Sequence, residues 1–301
     1  MPLELADLNL DRATRLWSEL NDPRIAGPLE YPVTLRAEHE GGNTWWYVDR
    51  TLTVQPARPG VLGDLVHNYR SCLDHAVATI RRAEGLGDSL SSSWPMYPNN
   101  SKGRATADRA LEGLPQAAKD VVNDHQVWGS SDFGETLEKL GELDNANKHR
   151  QLVTAIMSPR TLGTVNLPIA EVAWHRVRIE KDALLVEHPR QTATSPPCVT
   201  AEVAIDEPNI SAGHLHVADL VWQLDFVVRT AVAALLRAYD PGATVPFTGP
   251  TGPSGYAQGR VVTWSRCSRP LLPPLSMTRT HVATSRMGEV PIAGSNELPS
   301  S

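Results

Sequence analysis

The sequence predicts an α+β fold: an α-helical bundle with additional antiparallel β-strands packed on one side. Three observations predict it. Helical periodicity runs through 60–82, 133–150 and 216–239. Strand-like runs rich in alternating and β-branched residues mark 31–38, 44–55, 165–187 and 199–205. A Glu40-Gly41-Gly42-Asn43 turn joins the first two of those runs, as a hairpin requires.

The elements follow in order. Leu10, Ala13, Leu16, Trp17 and Leu20 share one face of a short helix over 9–20, which Asn21-Asp22-Pro23 stops. Val33, Leu35 and Ala37 alternate with Thr34, Arg36 and Glu38 in a half-buried strand. The strand over 44–55 carries Trp45 and Trp46; neighbours on a strand face opposite sides, so one of them is expected in the core. Arg58-Pro59-Gly60 breaks the chain before the longest helix, 60–82, and Gly85 and Gly87 end it. A loop rich in Ser, Pro and Asn spans 88–104 and contains the apolar Trp94-Pro95-Met96-Tyr97-Pro98. Two short helices are expected over 105–114 and 115–125, with Pro115 in the first turn of the second. A long helix covers 133–150. Strands follow over 165–187, hinged at Lys181-Asp182, and over 199–205, and a last helix covers 216–239. The resulting expectation is one globular domain over 1–240 and a disordered tail, rich in Pro, Gly and Ser, over 241–301.

A formal charge of -6 argues against a broad electrostatic grip on nucleic acid, while leaving room for a local anion pocket. Cys72, Cys198 and Cys267 are too few and too scattered for a disulfide framework or a CxxC metal site, which suits a reducing cytosol. The N-terminal residues are acidic where a signal peptide is basic, and no apolar run approaches the ~20 residues that span a bilayer. The expectation is a cytoplasmic protein with no membrane contact.

The helix over 60–82 is the chemically dense one. Leu62, Val66, Tyr69, Leu73, Val77 and Ile80 form its buried face. Gly63, His67, Arg70 and Asp74 form one flanking stripe; Asn68, Cys72, His75 and Thr79 form the other. The helix over 133–150 begins its face with Phe133, Leu137 and Leu140 and continues it with Asp144, Asn147 and Lys148. A face that turns from apolar to polar either emerges into water or lines a polar pocket, and the flank of 60–82 offers polar groups to share one.

Arg70 and His75 are the residues best suited to chemistry. A guanidinium can hold two phosphate oxygens, and an imidazole can move a proton near neutral pH. Those are the parts needed to cleave RNA without metal: a base takes the 2'-hydroxyl proton and a cation steadies the phosphate charge. On one ideal helix the two side chains diverge by about 140°, so they converge only across an interface or through a distortion. Alternatively Arg70 and Asp74, spaced i,i+4, form an ion pair.

The run GDLVHNYRSCLDHAVATI and the later LGELDNANKHRQL resemble a family of uncharacterised bacterial proteins with a GD-x-LHNLRSALDH helix and a later N-x-DKHR. That arrangement is similar to the HEPN superfamily (higher eukaryotes and prokaryotes nucleotide-binding), whose hallmark is Arg, four to six residues, then His on a bundle helix. The resemblance implies a metal-independent RNase or RNase-derived module in a toxin or antiphage setting, without cofactor. It also implies an RNA substrate, a homodimer that brings two motifs together, and an antitoxin or regulatory partner. Under it Arg70 binds phosphate, His75 is the acid/base, and Asn68, Asp74, Asn147 and Lys148 orient or extend the pocket. The competing expectation is a non-catalytic binding or structural protein in which these same residues form a buried inter-helix network.

Other candidates are weaker. Asp64, His67, Asp74 or His75 with Asp144 or His149 supply N/O donors of the kind a divalent metal takes, but at no characteristic spacing. His214 and His216 read as a surface pair or cap. The Gly-rich 249–259 lacks the Lys-Ser/Thr of a P-loop. No G-x-S-x-G elbow or Cys-His nucleophile signature appears.

Overall fold

The computed structural model describes residues 4–86, 93–97, 99–129, 131, 133–150, 152, 154–157, 173–174, 178–188, 199–207, 211 and 215–242. They form a mixed α+β architecture with six helices and two small antiparallel sheets. The tail expected over 241–301 lies, from 243 on, outside the described residues, as do His214 and the Gly-rich 249–259. Among the described residues no helix is long and apolar enough to cross a membrane.

Helix α1 (Glu4–Asn21) buries Leu10, Ala13, Leu16, Trp17 and Leu20 against α2 (Ala57–Ala83). Helix α2 begins three residues earlier than its periodicity predicts. Pro59 falls in its first turn, where a missing N–H costs nothing. Arg58 is fully buried there, because its guanidinium donates to Leu20 O (3.3 Å), Gly27 O and Pro28 O (3.0 Å). The first of these is a carbonyl in the last turn of α1, which has no partner inside its own helix. At the other end of α2, Gly85 adopts φ +69° and Leu86 N–H reaches back to Arg81 O (3.0 Å), closing the helix with a left-handed residue.

The expected hairpin is present. Strand β1 (Glu30–Val33) precedes β2 (Leu35–Glu40), and β2 pairs with β3 (Asn43–Val48). Glu40 lies opposite Asn43, so the loop is Gly41-Gly42 alone. Both glycines have positive φ (58° and 85°), the two-residue turn that follows strand twist. Trp46 is buried and Trp45 half-buried, as alternation requires. The single strand expected over 31–38 is instead broken at Thr34. Its first part, β1, is an edge strand, where Pro32 leaves no ladder bond unmade. Strand β3 is shorter than the expected 44–55.

Helix α4 (Gln116–Asp124) is the expected second short helix and α5 (Gly134–His149) the expected long one, but α3 (Ser101–Ala110) starts four residues before the expected 105–114, inside the expected loop, because Asn100 caps it by accepting the Gly103 N–H (2.8 Å). Strand β4 (Thr154–Met157) has no counterpart in the sequence reading. Of the expected 165–187 strands, β5 (Ala173–Trp174) and β6 (Leu184–His188) are described, with a turn at Lys181-Asp182 where Asp182 has φ 66°. Strand β7 (Val199–Ile205) matches its expected range. The sheet orders are β1-β7-β4 and β2-β3-β6-β5.

Helix α6 (Val217–Tyr239) packs on α2, α4 and α5. It buries Leu220, Leu224, Val227, Val228, Ala231 and Leu235. At about 1.5–3 kcal/mol for each large side chain buried, this face is a major stabiliser of the bundle. One polar set crosses it: Tyr69 O–H donates to Asp225 (3.0 Å), and Arg229 bonds both Asp225 (2.9 Å) and Thr14 (3.1 Å). That set ties α1, α2 and α6 together.

Candidate functional site

Two polar neighbourhoods lie on α2, one turn apart. The first is built on Arg70 and Asp74. The two side chains pair across one helical turn, with guanidinium–carboxylate contacts of 3.1 and 3.2 Å. Both also hold the backbone of Trp94. Asp74 accepts the Trp94 N–H (2.9 Å), and Arg70 donates to the Trp94 carbonyl (2.6 Å). The pair thus satisfies one loop residue's donor and acceptor, as a neighbouring strand would. Trp94 is completely buried, with His125 edge-on to its ring at 6.2 Å. Only 13% of the Arg70 side chain is exposed. Burial pushes the Asp74 carboxyl above its usual range, and the Arg70 charge and the Trp94 N–H work against that rise.

His75 is partly exposed on α2 and makes no hydrogen bond or ion pair with any described residue. Asn68 is buried and donates to Asp64 O, one turn back (2.6 Å). Of the six residues singled out in the sequence, only Arg70 and Asp74 bond one another within this neighbourhood.

The second neighbourhood is the seam between α2 and α5. The stripe Gly63–His67 faces the polar end of the α5 face, so the two polar faces read from the sequence do meet. The Asn147 amide lies over Gly63: a Cβ built there would sit 2.1 Å from Asn147 Oδ1. Asp144 is 2% exposed and takes His67 Nδ1 on one oxygen (3.0 Å) and Lys148 Nζ on the other (2.6 Å). His67 and Lys148 are half-exposed. Ser71 Oγ stands 3.4 Å from His67 Nε2. From sequence, His67 and Asp144 stand out only as weak metal donors and Ser71 not at all; the stripe that contains His67 and the polar end of the α5 face that contains Asp144 are the available signals. Gly63→Ala is expected to displace the Asn147 amide and lower stability by about 1–3 kcal/mol. Thermal melting measures this, and adding Asn147→Ala should recover part of the loss.

A cavity of about 170 Å³ opens beside Met96, Tyr97, His125, Glu138, Gly141 and Glu142. None of Arg70, His75, Asn68, Asp74, Asn147 or Lys148 lines it. Burial and the neighbouring Glu142 and Glu135 raise the Glu138 carboxyl. Among the described residues no group of three His, Cys, Asp or Glu side chains is placed to hold a metal ion. Cys72 is buried with its thiol against Ala6 O (3.5 Å), and burial pushes its pKa far up, the opposite of an activated nucleophile. His216 lies 2.9 Å from Glu202 at the start of α6.

No family model, curated protein or solved structure matches the chain.

Proposed function

We propose that the chain is a HEPN-like, RNase-derived module in which the Arg-x4-His helix serves architecture and binding rather than RNA cleavage. The observation that carries this reading is the engagement of Arg70. A guanidinium that steadies a phosphate needs an open face and free donors. That of Arg70 is largely covered and already donates to Asp74 and to the Trp94 carbonyl. Of the residues that would make an RNase pocket, Arg70 and Asp74 instead join α2 to Trp94 of the 93–97 loop, and Asn147 and Lys148 belong to the polar seam between α2 and α5.

The RNase reading keeps one specific support. His75 is partly exposed and bonds no described residue, so it is open to a second α2 across a homodimer. An RNA substrate and an antitoxin partner belong to that second reading. Expression in bacteria separates the two. Wild type, Arg70→Ala and His75→Ala are compared at matched soluble levels, with total RNA inspected. The expected result is intact RNA and normal growth with all three. Growth arrest with new RNA fragments from wild type, lost in both variants, would establish the RNase instead.

A further inference from the structure

At the α2–α5 seam, His67 and Ser71 make a contact that an architectural role leaves unused. Asp144, buried on α5, accepts from His67 Nδ1 (3.0 Å). That bond fixes the imidazole tautomer and leaves the Nε2 lone pair on the far side of the ring. Ser71 Oγ occupies that side at 3.4 Å. His67 and Ser71 are spaced i,i+4 on one helix, so their meeting is a property of α2. Asp144 comes from α5, 77 residues away, so the third member is a property of the fold. No local motif could announce a Ser-His-Asp set assembled this way.

We propose that Ser71 is a nucleophile activated by His67, with Asp144 holding the imidazole, and that the site acts on carboxylic esters. The connectivity is that of an acyl-transfer triad, which is recognised by geometry and roles and not by sequence order. The Oγ–Nε2 distance is longer than a strong hydrogen bond, and such nucleophile–base contacts are looser before substrate binds. His67 is 53% exposed, so an ester reaches it from solvent without a gate.

The reaction runs in two balanced steps. Ser71 Oγ bonds to the ester carbonyl carbon while its proton passes to His67 Nε2. The ester C–O bond breaks, and the leaving alkoxide takes that proton as the alcohol. A water molecule then gives its proton to Nε2 and attacks the acyl-serine. The carboxylic acid leaves and the Ser71 oxygen regains the proton. Mid-helix backbone N–H groups are used within α2, so a side chain must meet the oxyanion. Lys148 is the half-exposed cation on the same seam; it holds the second oxygen of Asp144 (2.6 Å) at rest and must release it to meet the oxyanion.

The test uses the full chain and a fluorophosphonate probe, with the adduct located by mass spectrometry. The probe forms a Ser Oγ–P bond and releases fluoride, and the serine proton goes to His67. The expected result is a single adduct on Ser71, absent in Ser71→Ala. His67→Ala and Asp144→Asn should each slow labelling by about 100-fold or more. His67 is half-exposed, so its variant keeps the fold if Asp144→Asn does not; melting curves check both. A folded wild type that gives no adduct on Ser71, or an adduct formed as fast in His67→Ala, overturns the proposal. The outcome is independent of RNA cleavage, since neither Arg70 nor His75 takes part.

Discussion

Replacing Arg70 by Ala should destabilise the protein by about 3 kcal/mol, measured by urea unfolding. The substitution removes more than an exposed i,i+4 pair, which alone contributes only about 0.3–0.5 kcal/mol. It leaves the partly buried Asp74 carboxylate without its cation and the Trp94 carbonyl without its donor. Arg70→Lys should fall between, because an ammonium keeps the charge but not the fork that reaches Asp74 and Trp94 together. The deficit should also depend on pH. Burial raises the Asp74 carboxyl above its usual 3.8, and losing Arg70 raises it further. A carboxyl with a raised folded pKa favours the folded state in its protonated form. That contribution is complete below the unfolded pKa and is lost as pH rises through the folded one. Arg70→Ala should therefore be less damaging near pH 4 than near pH 7.

Trp94→Ala should cost about 4 kcal/mol. The ring is completely buried, edge-on to His125, whose own ring lies 5.4 Å from that of Phe133. Removing it leaves a cavity beside His125, and it loosens the loop residue whose backbone Arg70 and Asp74 hold. Trp94→Phe should recover most of the loss, since much of the volume and all of the backbone contacts remain. Urea midpoints of the two variants measure the difference.

The parts of the fold set by local chemistry were legible in the sequence. The two-glycine hairpin, the apolar stripes of α2 and α6 and the bounds of β7 each follow from spacing within a few residues. What depended on distant partners was not. The run 31–38 reads as one strand because alternation cannot say that β1 joins β7 while β2 joins β3. The early start of α2 depends on Arg58 meeting carbonyls around the end of α1, which no local pattern encodes. At the candidate site, the Arg70–Asp74 pair was readable from i,i+4 spacing, and the polar faces of α2 and α5 were both readable as stripes. The Trp94 backbone as their shared partner was not, since it is presented by a loop. Nor was the choice of His67 rather than Arg70 to face Asp144, which depends on how the two helices cross.

Arg70 and Asp74 act together as scaffold for the 93–97 loop. The most direct measurement is a double-mutant cycle in urea between Arg70→Ala and Asp74→Ala. If the two hold Trp94 as one unit, the double variant should be more stable than the sum of the single losses predicts, with a coupling of about 1–3 kcal/mol. Additive losses would contradict the account and return Arg70 to the role of a free cation awaiting a phosphate.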